Sequence, residues 1–196
     1  AKRMLKVIDL YSGLGGASEA FIRAGHDVVR IENNPDLAFV EETVIADVAW
    51  AHTFYGDSID LVWASPPCQD FSQAFSARRP TARREGREFQ PDMKPLISAL
   101  EIISNLKPKY FVIENVVGAI KDFKPHLGEP TQIIGAFVLW HNLPHLVLPP
   151  GYTYTKESQD PGSRDPLRSN KRAKVPLELS TACLDSILTP TLEDYL

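Results

Sequence analysis

Cysteine is almost missing from this sequence: among 196 residues there are two, Cys68 and Cys183. Two such thiols build neither a disulfide framework nor a zinc cluster, so no metal is expected and the fold must rest on its apolar core. A chain of this length buries about two thirds or more of its unfolded surface and needs no staple. Long hydrophobic runs are also lacking. The longest, such as Ile133 to Trp140, fall far short of the ~18 to 20 residues of a membrane span, and residues 1–6 are charged instead of leader-like. The expectation is a monomer of the reducing cytoplasm with no membrane partner. An overall basic excess is absent as well, the formal net charge being -4.

What positive charge there is comes in two clusters. Arg78, Arg79, Arg83, Arg84 and Arg87 face Glu85 alone, and Arg164, Arg168, Lys171, Arg172 and Lys174 face Asp165 alone. Each cluster is either a solvated loop or a surface that steers a polyanion to one face of an otherwise acidic protein.

Short β-branched or aromatic runs alternate with helix-like segments over the first 140 residues, the pattern of a parallel sheet covered by helices. Strands are predicted at Leu5 to Tyr11, Asp27 to Glu32, Thr43 to Ala46, Ile59 to Ala64, Lys109 to Ile113 and Ile133 to Trp140. Helices are predicted at Ala17 to Ala24, Pro35 to Glu42, Pro95 to Leu106 and Val175 to Leu188, the last with Pro176 in its first turn. This predicts a catalytic and cofactor-binding unit over 1–148, a polar basic loop over 149–174 and a C-terminal helix over 175–196 that packs back on it.

Three motifs carry chemistry. Asp9, Tyr11, Ser12, Gly13, Gly15 and Gly16 form a glycine turn between strand and helix, where backbone can approach a ligand closely. Glu32 follows Gly13 by about 20 residues at a strand end, the place of an acidic group that takes ribose hydroxyls, so an adenosine-containing cofactor is expected. Asp47, after the third strand, either accepts from an adenine amine or caps a helix.

The second motif is Ser65, Pro66, Pro67, Cys68, Gln69, with Ser72 beyond it; a stiff double proline presents a thiol past the carboxyl end of a strand. The third ends the next strand with Glu114 and Asn115. A thiolate and a carboxylic acid beside a methyl donor suit a pyrimidine. Carbon 5 of cytosine is too weak a nucleophile unaided. It becomes enamine-like if the Cys68 sulfur adds to carbon 6 while Glu114 donates to ring nitrogen 3.

These motifs together resemble the cytosine-C5 DNA methyltransferases over roughly Val7 to Val116. The resemblance implies a Rossmann-like methyltransferase fold, α/β with a mostly parallel sheet and helices on both faces. It further implies S-adenosylmethionine held around Asp9, Tyr11 to Gly16, Glu32, Asn33, Asp47 and Pro67. Cys68 is then the nucleophile and Glu114 the acid at the base, with Asn115 beside it. Ser65, Pro66, Gln69 and Ser72 match the loop that closes over an extruded base, since carbon 6 is out of reach inside a duplex. Arg78, Arg79, Arg83, Arg84, Arg168 and Arg172 are expected on phosphates.

Beyond Val116 the likeness thins. The family's glutamine-arginine-arginine element has no counterpart; His141 either stands in for the arginine or is an ordinary core or surface histidine, and the residues favour the latter. Val175, Pro176 and Ser180 resemble the C-terminal segment that returns to the cofactor, with Lys174 where an asparagine is expected. Cys183 reads as core. DNA is the expected partner; RNA, or a non-catalytic module that keeps the fold, are the rival readings.

Overall fold

The computed structural model describes residues 3–154 and 163–189. Its centre is a seven-stranded sheet of order β3-β2-β1-β4-β5-β7-β6. The strands are β1 (Lys6–Leu10), β2 (Asp27–Glu32), β3 (Thr43–Ile45), β4 (Leu61–Ala64), β5 (Tyr110–Asn115), β6 (Gln132–Ile134) and β7 (Phe137–His141). The first five run parallel; β7 is antiparallel to β5 and to β6.

The central strands are apolar throughout because helices cover both faces. Side chains alternate across the sheet. Val7, Leu61, Trp63, Val112 and Leu139 therefore join a core with α1 (Glu19–Arg23) and the C-terminal helix, here called α6 (Leu177–Leu188). Ile8, Leu10, Val62, Ala64, Ile113 and Val138 face the other way, toward α3 (Lys94–Leu106) and α4 (Ile120–Leu127). Two further short helices are described, α2 (Arg78–Arg84) and α5 (Arg168–Ala173). Helix α3 shows the logic of the layer: Leu96, Ala99, Ile102 and Leu106 repeat at helical spacing and are all buried.

The sheet departs from the predicted elements in several places. The run at Ile133 to Trp140 is not one strand but the hairpin β6–β7, broken by Gly135 with φ 59°. The helix expected at Pro35 to Glu42 shrinks to a single 3-10 turn, Pro35–Leu37, and Glu42 adopts φ 57° as the chain turns back into the sheet. Pro176 is extended and precedes α6 instead of lying in its first turn. Within the basic stretches, Arg78–Arg84 and Arg168–Ala173 are helical instead of loop-like. Parts of the predicted 149–174 and 175–196 segments, 155–162 and 190–196, lie outside the described residues.

Strand order reverses between β1 and β4, so the connections leave in opposite directions and open a crevice beyond the carboxyl ends of these strands. Leu10 pairs with Ala64, and Ala64 with Ile113. The glycine turn, the Cys68 loop and Glu114 consequently leave one edge of the sheet side by side.

Candidate active site

The glycine turn is compressed from within. Arg30 on β2 is 2% exposed, and its guanidinium occupies the space that a Cβ at Gly15 would need. Its Nε donates to Ser18 Oγ at 2.9 Å, Nη1 to the Glu41 carbonyl at 2.8 Å, and Nη2 to the Gly15 carbonyl at 2.6 Å and to Glu19 Oε2 at 3.3 Å. Ser18 passes the connection on by donating to Asp9 Oδ2 at 2.6 Å. A buried guanidinium is expensive to desolvate, and this one is offset by partners on the glycine turn, at the start of α1 and before β3. Sequence reading missed Arg30. The signal was a charge two residues after Val28, on a face where strand alternation calls for an apolar side chain.

Gly16 is closed from the other side by the C-terminal segment, because a Cβ there would strike the Val175 carbonyl. Ser180 donates to the Ala17 carbonyl at 2.7 Å and accepts from the Ala20 N–H at 3.0 Å, fastening α6 to α1. Asn170 of α5 stands 3.6 Å from where a Cβ of Gly13 would be. Helix α5, with Arg168 and Arg172, therefore lies beside the glycine turn, while α2 follows the Cys68 loop.

The polar atoms around this turn suit a nucleoside. Both Glu32 carboxylate oxygens face backbone donors: Oε2 accepts from Gly13 N–H, and Oε1 from Asn33 and Asn34 N–H, each at 2.9 Å. That clamp fixes the carboxylate and leaves lone pairs for ribose hydroxyls. Asp9 Oδ1 and Ser12 Oγ are buried with no hydrogen-bond partner among the described residues, which a bound group would supply. Burial pushes the Asp9 carboxyl up to about 6, against the lowering effect of Ser18 and Arg30. Tyr11 adopts φ 58° and donates from its hydroxyl to the Pro95 carbonyl at 2.9 Å. Burial, then Asp47 and Asp92, push its phenol up to about 12. Asp47 itself accepts from Ala49 N–H at 2.8 Å and caps a 3-10 helix, Val48–Phe54.

On the next strands the double proline ends β4, and Pro67 and Gln69 are exposed around a half-buried Cys68. The loop is pinned at Ser65, which accepts from Trp63 Nε1 at 2.9 Å, and turns at Cys68, whose carbonyl accepts from Phe71 and Ser72 N–H. Ser72 Oγ accepts in turn from Ala74 N–H. Asn115 bridges the two edges: its Nδ2 donates to the Pro66 carbonyl at 2.9 Å while its Oδ1 accepts from Val116 N–H. Glu114, 8% exposed, sits immediately before it at the end of β5.

One expectation fails. Arg79 is 7% exposed, and Nη2 donates to Asp122 Oδ2 at 2.8 Å, so it ties α2 to α4 and is not among the surface cations. Arg78, Arg83 and Arg84 stay exposed, Arg78 paired with Asp70 at 3.0 Å. His141 is a core histidine, the reading the residues favour: it is buried, and antiparallel β7 puts it opposite Val112 and gives the Glu114 end to Val138 and Leu139. Its Nδ1 accepts from Leu143 N–H and its Nε2 meets Gln132 Oε1; burial holds its pKa below the ordinary value. Cys183 is fully buried in the core, which pushes its thiol well up, as the sequence reading of a core residue requires.

Fold and site together describe an α/β protein whose glycine turn, cysteine loop and buried carboxyl leave one edge of a mostly parallel sheet. The comparisons sharpen that class. The family described as C-5 cytosine-specific DNA methylase matches residues 5–129, and the chain belongs to it. Its relatives include the type II methyltransferase M1.HphI of Haemophilus parahaemolyticus, 31% identical over an alignment of 128 residues that covers 57% of this chain and 32% of that one. M.HindV of Haemophilus influenzae is 30% identical over 127 residues, 57% of this chain and 38% of that one. M.AquIA of Picosynechococcus sp. is 31% identical over 134 residues, 59% of this chain and 50% of that one. The matched region thus spans between a third and a half of these relatives' length.

Proposed function

We propose that this chain transfers a methyl group to carbon 5 of cytosine in DNA, with Cys68 as nucleophile and Glu114 as the acid at the base. The observation that carries the reading is the pairing of the Cys68 loop with the end of β5 through the Asn115 to Pro66 hydrogen bond. It brings a thiol and a carboxyl to adjacent points of one edge, next to the glycine turn. Glu32, Asp9, Ser12, Tyr11 and Asp47 suit S-adenosylmethionine, with Gly13, Gly15 and Gly16 shaping the turn, and Asn33, Pro67 and Val175 flanking it. That cofactor, when bound, supplies an electrophilic methyl group to carbon 5.

The chain's own residues do the rest. Cys68 sulfur forms a bond to carbon 6, and the electron pair of the 5,6 double bond moves toward carbon 5 as Glu114 gives a proton or strong hydrogen bond to nitrogen 3. After carbon 5 is methylated, a base takes its proton, the sulfur leaves carbon 6 as the thiolate to restore the double bond, and nitrogen 3 returns its proton to Glu114. Ser65, Pro66, Gln69 and Ser72 shape the wall that meets the extruded base. Arg78, Arg83, Arg84, Arg168 and Arg172 supply charge for the phosphates.

The decisive experiment offers labelled S-adenosylmethionine with random-sequence DNA and with transfer RNA, then maps modified cytosines at base resolution. Methylated DNA that disappears in Cys68→Ser supports the proposal. Product that survives Cys68→Ser removes the nucleophile, label in RNA alone changes the substrate, and no product from the unmodified chain favours a binding module.

A further inference from the structure

The stretch after Cys68 carries a surface that methyl transfer itself does not use. Phe75 is 78% exposed, a costly position for so large an apolar ring, and the Arg84 guanidinium lies over it with 3.8 Å between its central carbon and the ring centroid. Arg84 Nη2 also donates to Thr81 Oγ1 at 3.1 Å, which holds the guanidinium over the ring. Thr81 is at the same time a wall of a cavity of about 310 Å³ lined with Ser76, Arg78, Arg87 and Phe89. Stacking pair and cavity are therefore one continuous surface.

Its chemistry is mixed in a particular way. Two aromatic rings offer flat apolar faces, two hydroxyls offer neutral donors, and exposed Arg78, Arg83 and Arg84 on α2, with Arg87 paired to Glu85 just after it, leave an excess of positive charge. A planar, anionic unit meets all three requirements. Bases stack on aromatic rings and guanidinium planes whatever their identity, and arginines and hydroxyls take the adjoining phosphate. Duplex DNA keeps its base faces covered, so the surface suits a nucleotide already out of the stack.

We propose that Phe75 and Arg84, with the cavity beside them, form a stacking site for an unstacked nucleotide of the DNA strand, adjacent to the cytosine that meets Cys68. The inference rests on the reading of Cys68 and Glu114 as a DNA-modifying site and adds a residue that holds the opened strand. Phe75 is on the surface, so substituting it leaves the fold intact.

The test measures binding of a labelled single-stranded oligonucleotide and of its duplex across a salt series, for the unmodified chain, Phe75→Ala and Phe75→Trp. Loss of one stacked base predicts about tenfold weaker single-strand binding for Phe75→Ala. The dependence on salt should stay the same, because no phosphate contact is lost. Phe75→Trp should keep the affinity, and its added emission should be quenched on saturation and recover when an abasic nucleotide is placed next to the target cytosine. Unchanged affinity in Phe75→Ala, or emission from Phe75→Trp indifferent to DNA, overturns the stacking site while DNA methylation by the unmodified chain stands. A chain that neither binds nor methylates DNA overturns the functional reading, and the stacking site with it.

Discussion

The two sides of the crevice are built on opposite plans. On the glycine side, Arg30, Ser18, Asp9 and Ser180 are buried and hydrogen-bonded to the turn, its flank or each other, and buried Val175 packs against Gly16. On the cysteine side, beyond the Asn115 tie and the buried Phe71, the chain shows Phe75, Arg78, Arg83 and Arg84 to solvent. The contrast fits two tasks. A small cofactor is held best by a cradle whose shape is set before it arrives, since ordering on binding lowers affinity. A polymer that must be opened needs exposed, sequence-tolerant contacts.

The largest effect expected falls on the cysteine side. Cys68→Ser should lower methyl transfer by about a thousandfold or more, with cofactor affinity unchanged, which single-turnover assay and calorimetry would read separately. A matching loss of cofactor binding would join the two sides and end the comparison. Arg30→Met strikes the other side. Removing one partner from this buried network should destabilise the fold by about 3 to 5 kcal/mol in urea melts and weaken S-adenosylmethionine binding in the molecules still folded. A melt unchanged within about 0.5 kcal/mol would deny the cradle its keystone.

The cradle should also announce itself in pH. The Asp9 carboxyl is raised from 3.8 to about 6 in the folded chain, so the folded state holds its proton over a range where the unfolded chain has already released it. The contribution of this group to stability should be full below about pH 4 and be lost as pH rises through 6, by up to about 3 kcal/mol. Asp9→Asn should flatten this part of the profile, measured as urea midpoints from pH 4 to 7. A slope of the opposite sign in the difference between the two proteins would contradict the burial.

Asn115→Ala comes next. Loss of the bond to Pro66 should reduce methyl transfer about tenfold while the cofactor still binds, because only the cysteine side is untied. The smallest change expected is Arg83→Ala: stability within about 0.5 kcal/mol, and a duplex-binding salt slope shallower by about 0.9. A slope that does not move takes Arg83 off the phosphate path.

Much of the site is local in sequence and was therefore legible. A glycine turn follows β1 because small residues allow its sharp geometry, a double proline ends β4 because it lacks ladder donors, and Glu32 and Glu114 close strands that periodicity already identifies. Arg79 and Arg83, four residues apart in one basic cluster, were not separable in the same way. Asp122 lies on a different helix, and only that contact shows which arginine turns inward. His141 likewise owes its distance from Glu114 to the hairpin that makes β7 antiparallel.

Sequence alone determined the strand and helix alternation, the order of the three motifs and which thiol and carboxyl are the candidates, since each depends on residues near one another along the chain. Tertiary structure decided what fills the glycine turn, which arginines face water and how the Cys68 loop meets β5. Those outcomes depend on contacts between segments as distant as Gly16 and Val175, where packing and desolvation choose among arrangements that local propensity leaves equivalent.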